Sequence, residues 1–129
     1  MCDLYHDDQP FPVRTQTGDL ISVPYSMDLN DVIIWRRGEE IESFCQQIRD
    51  HFATVYAEGA VQGRVMCIAV HPFWVAQPHR IRQFQAVLEE LLSHPGVWAT
   101  TAGEIADHWR ATHRDAIEAH IAARSAIHG

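Results

Sequence analysis

Six successive apolar residues, Val65-Met-Cys-Ile-Ala-Val70, run without polar alternation into His71-Pro72, and this stretch constrains the fold more than any other. A short apolar run of this kind predicts a strand covered on both faces, as in a parallel sheet of an α/β protein. Pro72 ends the ladder because it has no N–H to donate. Ligands of such sheets gather beyond the carboxyl ends of the strands. His71 is therefore placed either to face a site or simply to lead the chain out of the core, and position alone leaves both open.

The flanking segments supply the helices that such a sheet needs. Ile41, Phe44, Cys45, Ile48, Phe52, Val55 and Tyr56 keep the three-four-seven spacing of one helix face, and Gly59 is the expected stop. Ile81, Phe84, Val87, Leu88, Leu91 and Leu92 repeat the pattern after Pro78, ahead of the turn His94-Pro95-Gly96. Earlier in the chain, residues 12–15 and 20–24 flank Gln16-Thr17-Gly18-Asp19 and predict a hairpin. Val32 to Trp35 reads as a short strand or turn, Val97 to Thr100 as a short strand, and Phe73 to Arg80 as a loop. Thr101 and Glu104 fit a capping box opening a final helix, with Ile105 and Trp109 turned inward. The alanine-rich stretch 110–129 is expected to be a solvated helical extension.

At 129 residues and 47% hydrophobic, the chain is long enough for one domain with its own core, and residues 1–129 are read as one unit. The formal charge of -7 argues against nucleic acid or an anionic membrane as partner. No apolar run approaches the length of a membrane span, and the first residues lack a signal-peptide core, so a cytoplasmic protein is expected. The three cysteines, Cys2, Cys45 and Cys67, form no C-x-x-C pair. Cys45 and Cys67 fall at apolar positions and are expected to be buried thiols.

Nine histidines raise the question of a metal site, which spacing can address. His108 and His113 lie about 140 degrees apart around a helix, so they share no face. His113 and His120 are nearly aligned, but no carboxylate or thiolate completes a zinc motif beside them. The cluster Asp3, His6, Asp7, Asp8 offers hard oxygen ligands and an imidazole, and equally suits an acidic turn. No glycine-rich phosphate loop, G-x-S-x-G elbow or Cys/His nucleophile pair is present.

Taken in order, several short motifs form a recognisable series. They are Cys2-Asp3 with Asp7-Asp8-Gln9-Pro10-Phe11, Val23-Pro24-Tyr25-Ser26 with Asn30-Asp31, His71-Pro72 with Pro78-His79-Arg80, and Val97 to Thr100 with Glu104-Ile105-Ala106 and His108-Trp109. From about residue 2 to 109 this series resembles the C-terminal part of polysaccharide deacetylases, in particular the allantoinase-like and peptidoglycan-deacetylase-like branch. The resemblance implies an α/β fold, the C-terminal half of a distorted (β/α) barrel, with an added β-hairpin and a C-terminal helix.

It also implies an incomplete enzyme. The family's catalytic base, its metal-binding aspartate and its two metal-binding histidines come from an N-terminal half, and this chain starts downstream of them. Asp7 and Asp8 belong to the Asp-Asp-Gln-Pro segment and are not that catalytic pair. The family's late histidine falls on His71, whose implied role is general acid toward the departing amine of an amide. Asp8, Tyr25, Asn30, Asp31 and Arg80 are expected to line or brace the same cleft. The implied cofactor is a divalent metal, zinc by preference, in the complete enzyme, with none bound tightly by this chain alone. The implied substrates are N-acetylated glycans or a small cyclic amide. The expected partner is the missing N-terminal half or a second copy, with no nucleic acid and no membrane. The contrasting expectation is a non-catalytic remnant, serving at most as a carbohydrate-binding or dimerisation module.

Overall fold

The computed structural model describes residues 7–128. The expectations placed on Cys2, Asp3 and His6 lie outside the described residues. The hairpin is present: β1 (Phe11–Thr15) pairs antiparallel with β2 (Gly18–Ser22), Val13 opposite Leu20. Five helices follow, α1 (Asp31–Arg37), α2 (Ile41–Gly59), α3 (Pro72–Val75), α4 (Ile81–Leu92) and α5 (Ala102–His128). The described chain is therefore mostly helical, and its sheet is confined to two strands.

Residues 32–35, expected as strand or turn, are the body of α1. Local capping outweighs the β preference of Val32, Ile33 and Ile34. Asn30 adopts an extended backbone, and its side-chain oxygen accepts from the Val32 N–H at 3.1 Å. Asp31 in the first turn and Arg36 and Arg37 in the last complement the helix dipole. Gly38 closes the helix at φ 69°, where a side chain would be strained, and its N–H reaches the carbonyls of Ile34 and Trp35. Residues 97–100 form no strand, because no partner strand lies beside them among the described residues. α2 stops at Gly59 as expected, although its cap is Ala60 with right-handed backbone and not a left-handed glycine.

The amphipathic helices pack as their spacing predicts. Phe44, Ile48 and Val87 are fully buried where α2 meets α4, with Ile41, Cys45, Phe84 and Leu91 around them. Phe44 stacks on Phe84 at 6.2 Å and meets Trp74 of α3 edge-on. Leu92 departs from the predicted face and is 53% exposed, and Tyr56 and Ile81, at the far ends of the two faces, are exposed as well. A second, smaller cluster joins Ile21 and Val23 to Trp109 of α5, with Val65, Ile105 and Ile117 against it.

The apolar run that dominates the sequence is extended but is not a buried, fully laddered strand. Residues 64–69 are half-buried and Val70 is exposed. One parallel bridge, Asn30 to Ala69, marks its C-terminal end, with Ala69 N–H to Leu29 at 2.8 Å and Asp31 N–H to Ala69 at 3.2 Å. The Val65 N–H donates to Asp8 at 2.9 Å. Between these anchors, Met66, Cys67 and Ile68 make no backbone hydrogen bond among the described residues. The side chains still alternate with a period of two. Met66 and Ile68 join the main core, Val65 joins the second cluster, and Cys67 lines an open cleft.

The capping box opens α5 as expected. The Thr101 N–H and the hydroxyls of Thr100 and Thr101 donate to Glu104, while the Glu104 N–H donates to the Thr101 hydroxyl at 3.3 Å. The backbone N–H of Thr101, then the two hydroxyls, hold the Glu104 carboxyl below its ordinary value of 4.5. A carboxyl depressed by folding adds stability above its unfolded value, and this is lost as pH falls through the lower folded value. Denaturant midpoints followed from neutral into acid conditions should therefore drop in the wild type more than in Glu104→Gln. Thr101→Ala should cost about 1 kcal/mol at neutral pH.

Candidate active site

His71 leaves the extended segment directly into α3, with Pro72 at the first helical position. Its surroundings are set by Asp31, the first residue of α1. Asp31 is fully buried, and its two carboxylate oxygens are divided between the two donors of one residue. One accepts from the His71 backbone N–H at 2.7 Å, and the other meets the ring Nδ1 at 2.6 Å. With Asp31 as a carboxylate, which can only accept, the geometry suits the tautomer that donates from Nδ1 and leaves Nε2 to meet anything bound outside. The His71 side chain is 40% exposed, which gives that nitrogen access. Phe73 packs on the imidazole at 5.5 Å and meets Trp35 at 5.8 Å, so an apolar wall borders the ring.

The other sequence-nominated residues divide between two places. Asn30 and Asp31 stand at the start of α1, Asn30 as its cap and Asp31 against His71. Arg80 lies over the Trp74 ring at 4.7 Å and donates weakly to the Trp74 carbonyl at 3.4 Å, bracing the short helix that follows His71. Asp8 and Tyr25 instead line an open cleft of about 470 Å³, together with Asp7, Asp28, His51 and Cys67. Arg64 is shared there, reaching Asp8 at 3.1 Å and Glu58 of α2 at 3.0 Å. Cys67, expected to be buried, is half-buried on this cleft, whereas Cys45 is buried in the core. Burial pushes the Cys45 thiol up.

Asp31 is among the residues the motif series nominates, but its contact with His71 spans forty residues and leaves no local pattern in the sequence. Among the described residues, no three His, Cys, Asp or Glu side chains converge to hold a metal ion. His108, His113 and His120 are exposed on α5. The described part of the chain thus does not fit a metal centre by itself. Among the described residues, no helix is long and apolar enough to cross a membrane.

The described fold matches part of one known class of protein. The chain is a homologue of polysaccharide deacetylase and allantoinase-type proteins over most of its own length, and it spans 38% of theirs. No protein-family model matches it. A polysaccharide deacetylase-type protein of Schizosaccharomyces pombe is 31% identical, covering 86% of this chain and 38% of the relative. The crystal structure of Puue allantoinase superposes with a TM-score of 0.79 at 34% identity, covering 87% of this chain and 38% of that one. A polysaccharide deacetylase-type structure from Pseudomonas aeruginosa gives a TM-score of 0.75 at 28% identity, covering 84% of this chain and 38% of its own.

Proposed function

We propose that this chain forms the proton-donating side of a hydrolase acting on carbon-nitrogen amide bonds, within the C-terminal half of a deacetylase-type (β/α) barrel. The observation that carries the proposal is the buried Asp31 carboxylate bound to both the backbone and the ring of His71. When water adds to an amide carbonyl and the C–N bond breaks, the nitrogen must gain a proton, because an amide anion is too basic to leave. Charged His71 supplies that proton from Nε2 and becomes neutral, its Nδ1 proton staying on Asp31's side. Asp31 acts through His71 as a positioning residue. Activation of the attacking water is assigned to the remainder of the fold. N-acetylated glycans and small cyclic amides are the substrate classes, following the names of the related proteins.

Asp31→Asn tests the arrangement on the chain itself. The asparagine oxygen can still accept from the His71 N–H, which leaves its NH₂ facing Nδ1 and drives the neutral ring's proton to Nε2. Nitrogen-15 NMR of the imidazole should show that change of tautomer, and hydrolysis by the fold completed with its remaining part should fall by about 10–100-fold, the usual range for a ligand-orienting partner. An unchanged tautomer would remove the basis of the proposal.

A further inference from the structure

Two large aromatic side chains near His71 are left outside the core. Trp35 stands in the last turn of α1, whose buried residues are Asp31 and Ile34, and it is 50% exposed. Phe73 of α3 is 58% exposed. Exposed apolar residues are ordinary when scattered singly, whereas two in contact beside a reactive group make a surface with a use. Their rings meet at 5.8 Å and 79°, so they form a corner and not a flat sheet. Phe73 lies 5.5 Å from the His71 imidazole, and no ring contact joins Trp35 to that imidazole among the described residues. The three rings therefore run in the order His71, Phe73, Trp35, with Trp35 one ring beyond the proton donor.

We infer that Trp35 is a specificity-determining residue that holds a second sugar ring of an N-acetylated glycan, next to the sugar whose amide meets His71. The inference rests on the proposed hydrolase reading and chooses between its two substrate classes. A small cyclic amide with its C–N bond at His71 Nε2 ends within reach of Phe73 and leaves Trp35 uncovered, whereas a chain of sugars continues past it. A sugar ring has a face of C–H bonds and a rim of hydroxyls. The indole takes the face, and its N–H is free to serve the rim. Arg36 and Arg37 follow Trp35 in the same turn and are exposed, which adds donors for hydroxyl oxygens. The same guanidinium groups break up the apolar surface that an acyl chain would need.

The test titrates N-acetylglucosamine, its β-1,4-linked disaccharide and hydantoin, a small cyclic amide, into the chain, and follows the indole N–H signals and the His71 ring by nitrogen-15 NMR. Trp98, 56% exposed and edge-on to His108, is the internal reference for casual contact of sugar with indole. The disaccharide should move His71 and Trp35 and leave Trp98 in place, while the single sugar and hydantoin should move His71 alone. Trp35→Ala should weaken disaccharide binding about ten-fold, and Trp35→Tyr, which keeps a ring there, should recover much of the loss. If Trp35→Ala fails to fold, the wild-type titration decides by itself. In a protein that unites this chain with the rest of its fold, Trp35→Ala should lower kcat/KM for the disaccharide about ten-fold more than for the single sugar. His71 moved by the disaccharide with Trp35 unmoved, or Trp35 and Trp98 moved alike, overturns the inference and leaves the hydrolase reading standing. A His71 ring that responds to none of the three probes overturns both.

Discussion

His71→Ala should lower the turnover of amide hydrolysis by about 10²- to 10⁴-fold in a protein that unites this chain with the rest of its fold. The loss should fall on kcat, because the proton is needed only as the C–N bond breaks and not when substrate binds. Substrates whose leaving nitrogen is more acidic should suffer less, since they need less help to depart. The variant should keep its fold: His71 is part-exposed, and its backbone N–H still reaches Asp31. Asp31 then keeps one of its two donors, so the buried carboxylate is left half-satisfied rather than stranded. Kinetics with a graded series of amide leaving groups would check the prediction. A uniform rise in KM with kcat intact would assign His71 to binding instead.

Phe44→Ala should cost about 3–5 kcal/mol of stability, the range for emptying an aromatic site in a core. Phe44 is fully buried at the point where three elements meet, stacked on Phe84 of α4 and edge-on to Trp74 of α3. The cavity cannot close easily, because its walls are themselves large aromatic rings on separate helices. Trp74 is also the ring under Arg80, so the gap reaches the turn that carries His71 into α3. Urea denaturation of the chain should show the loss as a lowered midpoint. Phe44→Leu should recover a large part of it, since leucine refills most of the volume.

The residues that made the helices legible were those whose pattern is local. The spacing of Ile41, Phe44, Ile48 and Phe52, and of Phe84, Val87 and Leu91, located α2 and α4, and Thr101 with Glu104 located the start of α5. Local pattern misled where it competed with capping, as at Val32 to Ile34, whose branched side chains favour strand while Asn30 and Gly38 enforce a helix. It was also incomplete for Val65 to Val70. Apolar sequence specifies an extended core segment but not its neighbours, and a ladder requires both. At the site, His71 was legible from its position at the end of that segment, and the motif series pointed to Asp31 without giving its contact. Asp8 and Tyr25 were grouped with His71 from the series alone; they line a cleft with Cys67, and His71 is not among the residues that line it.

The alternation along residues 65–68 has a consequence for how the molecule comes apart. Val65 belongs to the cluster of Ile21, Val23 and Trp109, while Met66 and Ile68 belong to the cluster of Phe44 and Val87. A four-residue stretch is thus a common wall of both cores. Neither core can lose its order without exposing apolar surface in the other, so the hairpin with α5 and the α2–α4 layer are joined into one cooperative unit rather than two independently melting pieces.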